Sequence, residues 1–269
     1  MRMSLGMPRR VLMLSAVLLG MAGPLAAQDA GSTTQTATPV VSDRFVSPAA
    51  RAVLDRMTNY LRGLERFSVT ADATRDEVVA FGYKLQNNEH ATLVVERPNQ
   101  IRVDLDGDIL SRRFYYNGKM FVMYSPDDKV YINTPASENL DRLIGGLLDA
   151  GVEMPLIDVI YQSFAGTLTE AVRGGILVGD STVNGVACDQ LAFRQANVDW
   201  QLWVEKGARP LPRKVVITTR YEVGDPQYQA VMTWNLQPKI DKTTFNFTPP
   251  AGVEEIPFAD AAAVQDGGK

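Results

Sequence analysis

Acyl transfer through a Ser-His-Asp or Cys-His arrangement needs an imidazole as general base, and His90 is the only histidine in the 269 residues. With one histidine and one cysteine, Cys188, the chain also lacks the ligands for a zinc site built from several such donors. The run Asp104-Leu105-Asp106-Gly107-Asp108 has the clustered carboxylates that a calcium ion wants. A calcium loop, however, carries glycine at its sixth position and a bidentate glutamate at its twelfth, where Tyr115 stands here. A strand followed by a tight turn accounts for the run. Glu254-Glu255 would serve hydrolysis only if a cleft held the pair, and neither common spacing of phosphate-cradling glycines occurs. The expectation is therefore a binding or carrier protein rather than an enzyme, with no cofactor and no metal.

What the sequence does supply is large, polarizable apolar side chains. Phe81, Tyr83, Phe121, Met123, Trp200, Met232 and Trp234 stand at alternating strand positions and suit an adaptable apolar pocket. Two roles are open to them: lining a concave face for a ligand, or packing beneath helices as ordinary core. His90 falls opposite the apolar positions of its strand and is expected at the surface. Cys188, inside a strand, is expected to be a small core residue.

The elements that position these residues follow from hydrophobic period. Ser47-Pro48 is a capping serine before a proline at the first helical position. Val53, Leu54, Met57, Tyr60, Leu61 and Leu64 then share one helical face, and Gly63 marks the end. From Phe67 the period becomes two: Phe67, Val69, Ala71 and Ala73 alternate with polar residues, as in a half-buried strand. The rhythm recurs in Val79, Phe81, Tyr83 and Leu85, then Ala91 to Val95, then Ile101 to Leu105, an antiparallel meander. Tyr116-Asn117-Gly118-Lys119 reads as a type I′ hairpin, and Ser125-Pro126-Asp127-Asp128 starts the next return. Helical stripes follow over Leu140, Leu143, Ile144, Leu147 and Leu148, and after Pro155 through Phe164. Strands resume near Ile176, turn at Asn184-Gly185, and continue to about Leu236. The fold class is α+β, mainly β: a strongly curved antiparallel half-barrel of about 11–12 strands, with helices covering its concave face. Such a lidded trough is a standard place for an apolar ligand.

The first segment sets an expectation for the compartment. Arg2, Arg9 and Arg10 precede an apolar run from Val11 to Leu19 and then small residues as far as Ala26-Ala27, the pattern of an export signal cleaved near Ala27. The apolar run is well short of the roughly 20 residues that span a bilayer, and with Cys188 far downstream and no cysteine directly after the cleavage site, no lipid anchor is expected. Losing residues 1 to 27 removes three arginines and no acid, which takes the formal net charge from −4 to −7. That balance argues against nucleic acid and against electrostatic adhesion to anionic headgroups. Residues 28–47 read as a flexible tether, 48–258 as one domain, and 259–269 as a disordered tail.

Several of these motifs together resemble the lipoprotein-carrier (LolA/LolB-like) fold. Glu96-Arg97-Pro98-Asn99-Gln100-Ile101-Arg102 is followed by Asn117-Gly118-Lys119 and Tyr124-Ser125-Pro126. Further on stand Trp200 to Glu205, Leu211-Pro212-Arg213-Lys214 and Thr244-Phe245-Asn246-Phe247-Thr248-Pro249-Pro250. Over about residues 48 to 258 the order matches, and the pattern is most similar to an uncharacterised group of predicted periplasmic proteins with that fold. The resemblance implies an open half-barrel, a helical lid and an apolar interior for acyl chains, with Arg97 in contact with the lid; the other reading of Arg97 is a solvated strand-end arginine. The Ala/Thr-rich tether, Gly145-Gly146 and Gly174-Gly175 depart from the carrier pattern. Expected partners are an acyl chain, a lipid or a lipidated protein. The alternative is a periplasmic sensor or regulatory module of the same fold that binds an envelope protein.

Overall fold

A computed structural model describes residues 45–136, 139–149 and 172–258. The expected export signal, most of the tether, the helix after Pro155 and the tail lie outside the described residues.

The first helix begins where its capping residues place it. The Ser47 Oγ accepts from the Ala50 N–H at 3.2 Å, Pro48 occupies the first turn, and α1 runs over Pro48–Arg62 before Gly63 ends it. Its stripe of Val53, Leu54, Met57 and Leu61 is buried.

The strands form one open, curled sheet built from two meanders. The first comprises β2 (Arg66–Val78), β3 (Lys84–Glu96), β4 (Gln100–Gly107), β5 (Ser111–Tyr116), β6 (Met120–Ser125) and β7 (Val130–Pro135). After α2 (Leu140–Asp149), whose first turn is capped by the Asn139 Oδ1 accepting from the Arg142 N–H, comes the second meander. It comprises β8 (Gly174–Val183), β9 (Val186–Arg194), β10 (Val198–Glu205), β11 (Pro212–Thr219) and β12 (Gln227–Asn235). The two join because β12 pairs back antiparallel onto β2, with Ala230 opposite Ala73 and Met232 opposite Ala71. Two short strands, β1 (Phe45–Val46) and β13 (Glu254–Glu255), run parallel to β8 and β7 at the two edges, giving 13 strands among the described residues. β1 thus draws the last residues of the expected tether into the sheet.

This order sets the distance that α1 has to bridge. The chain must pass from β1, beside β8, to β2, six positions away in the sheet. At about 4.8 Å per strand that arc is roughly 29 Å. A 15-residue helix is roughly 22 Å long at about 1.5 Å per residue. A helix of that length covers most of the distance between the two strands. Its apolar residues join one core cluster with Val69, Leu93, Phe114, Leu191 and Leu202 of the strands and with Leu143 and Ile144 of α2. The sheet face that carries this cluster is called the inner face below. Arg56 of α1 reaches Asp189 of β9 at 2.9 Å, a polar pin between helix and sheet.

Three local expectations are corrected. The alternation over Val79 to Leu85 is not a separate strand. Phe81 and Gly82 take left-handed backbones (φ 64° and 77°), so the chain reverses there and Val78 pairs directly with Lys84. The hairpin at Asn117-Gly118 forms, but Asn117 does not share the positive φ of Gly118. Its Oδ1 instead accepts from the Lys119 and Met120 N–H groups, closing a wider turn. The two-residue type I′ signature is found instead at Asn184 (φ 47°) and Gly185 (φ 79°), between paired Val183 and Val186. The strand count also exceeds the expected 11–12, because the edge pieces β1 and β13 add two and the lost strand removes one.

Candidate functional site

The inner face of the sheet is assembled by strict alternation. Tyr116 of β5, Phe121 and Met123 of β6, Phe193 of β9, Trp200 of β10 and Met232 of β12 are all buried and in the one core cluster. Of the seven aromatic and methionine residues singled out in the sequence, the structure brings together Phe121, Met123, Trp200 and Met232 there, with Trp234 packed half-buried against them. Trp234 leans on Phe67, with ring centroids 5.3 Å apart, and its Nε1 donates to the Pro212 carbonyl at 2.8 Å. Phe121 stacks on Phe114 at 6.3 Å. The other two do not join. Phe81 is 99 % exposed and Tyr83 is exposed beside it, both at the β2–β3 hairpin tip. Reading their alternation as a continuing strand places them on the wrong side of a chain reversal.

Sequence reasoning missed Phe193, which lies flat against Trp200 with centroids 4.0 Å apart and ring planes 21° apart. The signal was available: Phe193 and Leu191 alternate in phase with Trp200 and Leu202 once the β9–β10 register is drawn. The close stack also explains Gly175, where a Cβ would come within 2.6 Å of the Phe193 ring. Arg112 was missed too. It follows the inner-face alternation of β5 yet is almost fully buried, and it donates to the Ser125 Oγ at 2.7 Å and the Ser111 carbonyl at 2.8 Å, with Asp128 at 3.7 Å. Burial lowers its pKa, and the nearby Asp128 and Asp127 act against that. Leu105, directly opposite in β4, fixes which face Arg112 occupies.

Arg97 is half-buried at the end of β3, and its backbone N–H donates to the Glu65 carbonyl at 2.8 Å. His90 is exposed as expected, with its Nδ1 2.8 Å from Asp72 on the neighbouring strand. Asp104 and Asp106 bind arginines 102 and 113 along the strand, and Asp108 accepts from the Asn88 N–H, so the acidic run serves strand pairing and a turn. Among the described residues, no group of three or more His, Cys, Asp or Glu could hold a metal ion, and no helix is long and apolar enough to cross a membrane.

The outer face is closed by the protein's own groups in two places. Cys188, Val183, Trp203 and Val216 form a small second cluster, in which the Trp203 Nε1 donates to the Ser181 Oγ at 3.0 Å and Lys214 lies over the Trp203 ring. Cys188 is the expected small core residue, and burial raises its pKa. At β5–β7, Phe247 from the C-terminal segment sits among Tyr115, Tyr124 and Tyr131, with centroids 5.2–5.4 Å away.

Residues 50–259 match the family of predicted periplasmic proteins designated DUF2092. The chain belongs to that family. This is a group of predicted periplasmic proteins of the kind to which the sequence showed its resemblance. A search of curated proteins returned no significant match. Among solved structures, the chain is similar to an uncharacterized conserved protein from Thermus thermophilus (12 % identity, 78 % of this chain and 99 % of that one, TM-score 0.45). It is similar to LprF from Mycobacterium bovis (12 % identity, 77 % and 99 %, TM-score 0.44). A LolA superfamily protein from Nitrosomonas europaea also matches (9 % identity, 72 % and 96 %, TM-score 0.34). Likeness at this distance says nothing of what this chain binds.

Proposed function

We propose that the protein is an exported periplasmic carrier whose inner face takes an acyl chain, as a free lipid or as part of a lipidated protein. The observation that carries this reading is the contrast in finish between the two faces of one sheet. The outer face is closed in two places by the chain's own groups, around Trp203 and by Phe247 of the C-terminal segment. The inner face carries one apolar cluster with Phe, Met and Trp from many strands, under an amphipathic helix pinned to the sheet by the ion pair of Arg56 with Asp189. An open sheet with a helix over it can separate from that helix without breaking a strand pair, and the surface then uncovered matches hydrocarbon. On this reading α1 and α2 cover the concave face, Phe121, Met123, Trp200 and Met232 meet the ligand, Trp234 borders it, and Arg97 contacts the cover. Phe81 and Tyr83 have no part in the pocket.

Native mass spectrometry of protein released gently from the periplasm tests the proposal. The expected spectrum contains a bound species with the mass of an acyl lipid or lipidated polypeptide. A protein that emerges empty, and stays empty when offered a lysophospholipid, would refute the carrier reading.

A second reading, a module that binds an envelope protein, is favoured by a different place. Phe81 and Tyr221 are bulky residues with left-handed backbones (φ 64° and 69°), exposed on two neighbouring loops. Those loops are tied together by Lys84 donating to the Gly224 carbonyl and by the Gln227 N–H donating to Asp76. One stoichiometric periplasmic partner that crosslinks to the wild type and is lost in Phe81→Ser, with no lipid bound, would favour this reading over the first.

A further inference from the structure

The chain has three tryptophans, and all three are described. The indole N–H of Trp203 donates to Ser181, and that of Trp234 donates to the Pro212 carbonyl. The Trp200 Nε1 is buried with no hydrogen-bond partner among the described residues, on a residue only 8 % exposed. A buried donor left without an acceptor costs free energy that a folded chain ordinarily avoids. The neighbours do not favour an internal water as the missing acceptor. Val198 and Leu202 flank Trp200 on its own strand, and Phe193 and Ile217 stand opposite it on β9 and β11. All four are apolar, whereas a buried water needs two to four polar partners. The stacked Phe193 ring, held by its close fit over Gly175, keeps the indole plane fixed, so the N–H points in one direction.

We infer that Trp200 is a specificity residue for the polar end of an acyl ligand: its indole N–H donates to the carbonyl oxygen of an ester or amide whose hydrocarbon chain lies along the inner face. The inference rests on the carrier reading and adds to it the ligand atom that the site recognises. A carbonyl oxygen is an acceptor with no donor of its own, so it satisfies Trp200 without leaving a new orphan among apolar neighbours. A bare hydrocarbon fills the same volume and leaves the N–H unpaired. The site should therefore distinguish an acylated ligand from an alkylated one of equal length.

Two lysophospholipids make the test: 1-palmitoyl-lysophosphatidylcholine, which has the ester carbonyl, and 1-O-hexadecyl-lysophosphatidylcholine, which lacks it. Their affinities are measured on full-length mature protein, wild type and Trp200→Phe. The expected result is that the wild type binds the acyl form about tenfold more tightly, the size of one buried hydrogen bond gained. Trp200→Phe should bind both within about twofold. In the absence of ligand, Trp200→Phe should also unfold at a temperature close to that of the wild type, because it loses no hydrogen bond. Equal affinities in the wild type overturn the inference while leaving the carrier reading intact. An acyl preference that survives in Trp200→Phe overturns it as well. If neither lipid binds the wild type, the carrier reading fails and the inference falls with it.

Discussion

Trp200 and Trp203 lie three residues apart on β10, each less than a tenth exposed, and they meet opposite conditions. Trp203 faces outward into a small cluster that answers every need of an indole: apolar contact from Val183, Cys188 and Val216, a hydroxyl acceptor from Ser181, and a cation over the ring from Lys214. Trp200 faces inward onto Phe193 in a much larger apolar field, and its N–H finds no acceptor among the described residues. One strand thus carries a finished face and an unfinished one. On the proposed carrier reading, the difference marks where the ligand would lie: a face that only has to be stable is completed from within the chain, whereas a face that has to receive a guest keeps valences for it.

The largest effect that would sharpen this contrast concerns bulk. Phe114→Ala removes a fully buried ring stacked on Phe121 and should destabilise the protein by about 3–5 kcal/mol, read from denaturant unfolding. A loss below about 1 kcal/mol would mean that the inner face is already loosely packed without ligand. Next comes the difference in polar finish. Ser181→Ala strands the Trp203 N–H in its cluster and should cost about 1–3 kcal/mol, whereas Trp200→Phe removes a donor that has no acceptor and should cost less than Ser181→Ala. The reverse order would break the contrast between the faces.

A smaller change concerns the cover. Arg56→Ala removes the pin between α1 and Asp189, a pair with an exposed arginine and a mostly buried carboxylate that also meets Lys206 at 3.2 Å. The expected cost is about 0.5–1 kcal/mol, with faster amide exchange in α1 than in β9. Uniform exchange across both would mean that the helix does not loosen as a unit.

The smallest effect lies at the surface. Arg194 donates to both carboxylate oxygens of Asp199, at 2.8 and 2.7 Å, and these hydrogen bonds hold the Asp199 pKa below its ordinary value. A depressed carboxyl pKa contributes stability that is present above the unfolded value and is lost as the pH falls through the folded one. Asp199→Asn should therefore melt slightly below the wild type at neutral pH. The gap should close below about pH 4. A gap independent of pH would assign it to something other than the ion pair.

Much of this molecule is legible from residue order. Ser47-Pro48 and Gly63 bound α1 correctly, and the alternation from Phe67 to Ala73 and from Ile101 to Leu105 marks both strands and their buried face. The failures share a cause. Period-two alternation is blind to a chain reversal that keeps the rhythm, so Phe81 and Tyr83 read as strand residues although Phe81 and Gly82 turn the chain. Asn117-Gly118 looks like a two-residue turn because the side-chain bonds that Asn117 makes to the next two N–H groups are invisible in sequence. The stack of Phe193 on Trp200 and the missing acceptor at its Nε1 depend on register across three strands. No local pattern encodes that register.

The most direct test is an indole NMR experiment on uniformly 15N-labelled protein, in which the three tryptophans give three Nε1–H signals assigned by single Trp→Phe substitutions. On titration with 1-palmitoyl-lysophosphatidylcholine, the Trp200 signal should move downfield as its proton gains an acceptor, while those of Trp203 and Trp234, already bonded to Ser181 and to the Pro212 carbonyl, stay in place. A Trp200 signal that does not move at saturating lipid, or a shift confined to Trp203 or Trp234, would contradict the account.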